Sequence, residues 1–81
     1  MSGEVIKSFA SPASGPTGLA FDGKYLWHCD YAVATIYQLG LTGKVIKSFA
    51  SPAAGPAGLA FDGKYLWHCD QNVAIIYQIA V

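Results

Sequence analysis

The chain has little charge. Only 12% of its 81 residues are charged, five of each sign, and the formal net charge is zero. The five cations are lysines scattered at positions 7, 24, 44, 47 and 64. No basic stripe tracks a phosphate backbone, so nucleic acid is not an expected partner. No apolar run reaches the ~18–20 residues of a membrane helix, and no signal peptide precedes the first repeated segment. The expectation is a cytoplasmic protein with no membrane partner. Cysteine is scarce too: Cys29 and Cys69 stand alone, 40 residues apart and in identical surroundings. Equivalent positions in adjacent structural repeats rarely meet a disulfide's Cα separation of roughly 4.4–6.8 Å, so free thiols are expected. Nor does any segment keep a 3.6-residue apolar period over ten or more residues, which argues against amphipathic helices.

What the chain does have is repetition. Residues 3–41 and 43–81 align without a gap, with 30 identities in 39 pairs. They differ only at 4, 14, 17, 31, 32, 35, 39, 40 and 41 and at the positions 40 residues later. A fixed period of this length marks a repeat architecture. The chain is also 53% hydrophobic, with Trp27, Trp67, five Tyr and four Phe. A lone domain of this size buries only about 60% of the surface its unfolded chain exposes. That apolar excess points to burial between chains.

Short β-branched and aromatic runs separated by Gly and Pro predict four strands per repeat. They fall at 18–21, 24–30, 34–39 and 44–49. Asp22-Gly23 is expected to make a tight hairpin turn, Tyr31-Ala32-Val33 a loop, Leu41-Thr42-Gly43 a turn, and residues 50–57 a crossing to the next repeat. Tyr25, Leu26 and Trp27 are consecutive, as are Ile75, Ile76 and Tyr77, a pattern of strands covered on both faces. The segment 44–49, with Lys44, Lys47 and Ser48, reads as an outer edge. Its counterpart 4–9 opens the chain without three strands before it, and the last three strands lack an outer one after them. Open edges invite pairing with another chain.

The segments PTGLAFDGKYLWHCD at 16–30 and PAGLAFDGKYLWHCD at 56–70 resemble the blade signature of NHL-type propellers. Relatives of that type include the lactonase-type and streptogramin-lyase-type propellers. The resemblance covers nearly the whole chain and implies an all-β propeller built from two four-stranded blades, repeat 1 over 3–41 and repeat 2 over 43–81. Two blades cannot close a ring, so identical subunits are the expected partners. An even blade number follows: a six-bladed trimer first, an eight-bladed tetramer second, each N-terminal strand completing a neighbour's last blade. Such a trimer resembles, in architecture only, small bacterial lectins. The fold hosts enzymes, lectins and scaffolds alike. Lactonase-type relatives place acidic or amide metal ligands at the start of innermost strands. Thr17 and Ala57 stand at the matching places here and cannot supply them.

Trp-His-Cys-Asp occurs twice where blades of this type usually look like Trp-Val-Ala-Asp. A strand period of two puts His28 and Asp30 on one face and Cys29 on the other, beside Trp27; His68, Asp70 and Cys69 repeat the set. The structural reading is a His that packs between blades and donates to Asp or a backbone carbonyl, with Cys as a small hydrophobe. The chemical readings are a divalent metal such as zinc on His28, Asp30, His68 and Asp70, or acid–base and thiol catalysis by the His, Asp and Cys of both repeats. Asp22 and Asp62 are read as turn residues, Trp27 and Trp67 as packing between blades. No cofactor is expected otherwise. The repeats differ most at Tyr31-Ala32 against Gln71-Asn72, candidates for a ligand-binding loop beside a constant scaffold. Two functional readings remain: a self-assembling scaffold or ligand-binding module without an inherited active site, and a small hydrolase or lyase using the His/Asp pairs.

Overall fold

The computed structural model describes residues 3–81. Seven strands follow one another: β1 Pro16–Phe21, β2 Leu26–Asp30, β3 Thr35–Leu39, β4 Val45–Ala50, β5 Pro56–Phe61, β6 Leu66–Asp70 and β7 Ile75–Ile79. They form an antiparallel four-stranded sheet, β1-β2-β3-β4, and an antiparallel three-stranded sheet, β5-β6-β7. The described residues contain no helix, hence none long and apolar enough to cross a membrane.

The strand bounds shift slightly from the sequence reading, for local reasons. The turn after β1 centres on Gly23 and Lys24. Asp22 N–H donates to the Tyr25 carbonyl at 3.1 Å, and Gly23 takes φ +99°. Asp22 Oδ1 accepts from Lys24 and Tyr25 N–H, so β2 begins at Leu26 rather than at 24. The third strand begins at Thr35 because Ala34 sits in the left-handed region, φ +50°, as does Ala74 at +55°. Without glycine at either place the sequence gives no sign of it. Bulges at Pro16/Gly18, Pro56/Gly58 and Gln38/Leu39 interrupt the ladders.

Each sheet has two faces, fixed by register. On the first sheet Leu19, His28 and Tyr37 lie opposite one another and share what we call the front face. Trp27 and Cys29, with Ala20 and Ile36 opposite, share the back face. The core joins the back of the first sheet to the front of the second. Trp27, Cys29 and Ile36 cluster with Leu66, and Ala20, Phe49, Leu59, Phe61 and Ile79 pack against them. The innermost strands β1 and β5 approach closely here. A Cβ on Gly18 would lie 2.8 Å from the Gly58 Cα, a contact only glycine permits.

Residues 4–9 form no ladder. The segment that follows them is tied to the first sheet, where Gly15 N–H donates to Asp30 Oδ2 and Gly15 O accepts from Tyr31 N–H. Ser8, Phe9, Ser11 and Pro12 consequently line a cleft against the front face, opposite Leu19, Leu26, His28 and Leu39. The free edge of β7, the counterpart of the β3 edge that β4 occupies, belongs to the other sheet, with the first sheet in between, and the arm pairs with no strand among the described residues.

Candidate functional site

The repeated Trp-His-Cys-Asp segments are the strands β2 and β6. Their side chains alternate between faces, and each residue has a distinct environment. His28 and His68 are buried. Their Nδ1 atoms lie 3.2 Å from Gly18 O and 3.3 Å from Gly58 O across the first hairpin. Each ring stacks on a tyrosine in the third strand, Tyr37 at 5.8 Å and Tyr77 at 5.9 Å, both with 17° between planes. A carbonyl only accepts, so Nδ1 carries the proton. Nε2 of both histidines is buried without a hydrogen-bond partner.

Asp30 and Asp70 are also buried. Asp30 accepts from Gly15 N–H on Oδ2 and from Val33 N–H on Oδ1. Asp70 accepts from Gly55 N–H on Oδ2 and from Asn72 and Val73 N–H on Oδ1. Each carboxylate thus clamps the incoming crossing segment to the loop after the second strand. His28 Nε2 and Asp30 Oδ2 stand 3.9 Å apart, beyond direct hydrogen-bond reach. No three His, Cys, Asp or Glu side chains among the described residues gather closely enough to hold a metal ion.

The cysteines diverge. Cys29 is buried in the core and Cys69 is exposed; both are free thiols. Burial pushes the Cys29 thiol up from its ordinary pKa, only partly opposed by the Thr17 hydroxyl at 3.4 Å. A thiol so placed is a poor nucleophile at neutral pH.

The loop candidates lie at one end of the molecule. Tyr31, Ala32, Gln71 and Asn72 are exposed, and Tyr31 and Gln71 donate their N–H to Gly15 O and Gly55 O. The variable loop and the crossing segment therefore share an end in both repeats.

Two features had no signal in the sequence. Asp22 Oδ2 accepts from Trp27 Nε1 at 2.8 Å, and Asp62 Oδ2 from Trp67 Nε1 at 2.7 Å. The Asp in the turn holds the indole five residues further on, at the second position of the following strand. For Asp22 partial burial raises the pKa, and bonds from Tyr25 N–H, Trp27 Nε1 and Lys24 N–H outweigh it, so the carboxyl sits below its ordinary value. Asp62 is lowered by Tyr65 N–H first, then Trp67 and Lys64. The second feature is Thr17, whose Oγ1 donates to Pro56 O at 2.9 Å, linking the innermost strands of the two sheets. Its counterpart Ala57 has no hydroxyl.

The widest difference between the repeats is in what covers them. Trp27 is 1% exposed and Trp67 36%; Ile36 is 0% exposed and Ile76 72%. These are identical residues at equivalent positions, on the back faces of the two sheets. The back of the first sheet is capped by the second, and the back of the second is bare. The front faces show the converse: Leu66 is fully buried, while Leu19 and Phe21 on the first sheet are exposed. The chain thus leaves apolar side chains exposed on two faces, Leu19 and Phe21 on the front of sheet one beside the arm, and Trp67 and Ile76 on the back of sheet two. Each is the repeat of a face that is buried inside the chain.

No family model matches the chain, and no curated protein matches it.

Proposed function

We propose that the protein is a self-assembling scaffold. Its sheets are propeller blades, and its copies join head to tail into a closed ring. The observation that carries this reading is the complementarity of the two exposed faces. Within the chain, Trp27, Cys29 and Ile36 are buried against the sheet that carries Leu59, Phe61 and Leu66. Between chains, Trp67, Cys69 and Ile76 of one copy meet Leu19, Phe21 and Leu26 of the next, the same side chains on nearly the same backbone. Burying a large apolar side chain stabilises by roughly 1.5–3 kcal/mol, and two are exposed on each face, Leu19 and Phe21 on one, Trp67 and Ile76 on the other.

The arm supports the same geometry. In the first sheet β4 pairs with β3, matching Ile36 with Phe49, Tyr37 with Ser48 and Gln38 with Lys47. The 40-residue spacing gives the neighbour's Phe9, Ser8 and Lys7 as partners of Ile76, Tyr77 and Gln78. Lys47 Nζ stands 5.8 Å from the Trp27 ring centroid, and Phe49 packs on the same indole at 6.4 Å. Lys7 and Phe9 from the next copy would give Trp67 the same two contacts. The phenyl ring of Phe9 already shares a cleft with Leu26 and Leu39, the equivalents of Leu66 and Ile79. The arm would then wait where the neighbour's β7 enters. Two blades per chain make a six-bladed trimer our first assignment and an eight-bladed tetramer the second. Such a ring displays the Tyr31-Ala32 and Gln71-Asn72 loops alternately around one end, where a ligand would contact both.

Ile76 lies outside the chain's own core, so Ile76→Glu separates assembly from folding. Burying its carboxylate unpaired costs about 3 kcal/mol or more per junction. The expected result is dissociation, with Cys69 becoming reactive towards an alkylating reagent that leaves Cys29 untouched. An Ile76→Glu chain that keeps its assembled mass and a protected Cys69 would refute the interface.

A further inference from the structure

Each buried histidine has one nitrogen accounted for and one left over. With Nδ1 donating to a strand carbonyl, Nε2 of the neutral ring offers a lone pair and needs a donor. In the first sheet the nearest carboxylate oxygen, Asp30 Oδ2, is itself an acceptor 3.9 Å away. Oδ2 takes one hydrogen bond, from Gly15 N–H, and keeps room for a second. Two buried acceptors at this separation, with no donor between them, define a site for a small molecule that donates twice.

We propose that this site binds one water molecule, which donates one hydrogen to His28 Nε2 and the other to Asp30 Oδ2. His68 Nε2 is also buried and unpartnered and takes a second water, without a carboxylate oxygen as near as Asp30 Oδ2 is to His28. Distances separate water from zinc. Hydrogen bonds of about 2.8 Å to two atoms 3.9 Å apart subtend roughly 90° at the oxygen, close to the spread of water's own hydrogens. A tetrahedral zinc with bonds of about 2.0–2.1 Å would hold the same two donors about 3.3 Å apart. At 3.9 Å its angle would open to about 150°. Water also needs no further ligand. Buried waters of this kind commonly satisfy groups that the chain leaves unpaired. The bridge would complete a line of hydrogen bonds from the crossing segment at Gly15 through Asp30 and His28 to Gly18 O. It would tie β1, β2 and the loop together without any catalytic role for the imidazole. Both Nε2 nitrogens are buried within a single chain, with or without assembly.

The test uses the full chain labelled with 15N. Long-range proton–nitrogen spectra of the imidazoles should show Nδ1 protonated and Nε2 bare in both His28 and His68. Cross-relaxation between the ring Hε1 proton and a slowly exchanging water should appear at each ring. A proton on Nε2, the absence of any bound-water signal at either ring, or zinc at one equivalent per histidine in the purified protein would each overturn the proposal.

Discussion

Trp27 and Trp67 are the same residue in the same hairpin, each held by the Asp of its turn. Only one of them is covered. That pairing of identical residues lets individual contacts be tested against their own duplicates. Thr17 is the sharpest case, since its hydroxyl donates to the fully buried Pro56 across the two sheets and Ala57 has nothing to donate to the next copy. Thr17→Ala leaves a buried carbonyl unpaired and should cost about 1 kcal/mol, a fall of a few degrees in melting temperature. Ala57→Thr should do the reverse between chains, tightening association by roughly fivefold in a dilution series. If Ala57→Thr leaves the association constant unchanged, the junction between copies does not copy the junction within the chain. At this scale the sequence could be read only in part. That His28 meets a backbone carbonyl follows from residue type and strand position. The Asp22–Trp27 and Thr17–Pro56 bonds depend on the turn's path and on two sheets meeting, neither of which a residue type encodes.

The strands themselves were legible because apolar runs between Gly and Pro leave few alternatives. Their ends were less so: Ala34 and Ala74 adopt a left-handed turn without glycine. Segment 4–9 is the instructive exception. It repeats β4 nearly residue for residue, yet forms no ladder. Local sequence supplies the propensity for a strand, and only an available edge supplies the hydrogen bonds. The matching edge, β7, lies beyond the first sheet. Deleting Met1 to Phe9 should therefore leave β7 bare in any assembly, giving aggregation or a marked fall in melting temperature. A truncated chain with the full chain's mass and melting temperature would show that the arm pairs with nothing.

At the scale of the whole molecule, the two repeats are one design in unequal surroundings. Apolar excess in the composition leads one to expect burial between chains. What it does not identify is which faces are bare, because identical residues at 27 and 67, or at 36 and 76, carry no mark of being inside or outside. Only the stacking of the two sheets separates them. The front of the first sheet and the back of the second together expose Leu19, Phe21, Trp67 and Ile76, and a single closed ring would cover all of them at once. The most direct measurement is sedimentation equilibrium of the intact protein at micromolar concentration. The account predicts one species at three times the 8.6 kDa mass of the chain, with four times that mass the only other ring it accommodates. A folded, stable species at the mass of a single chain would contradict it.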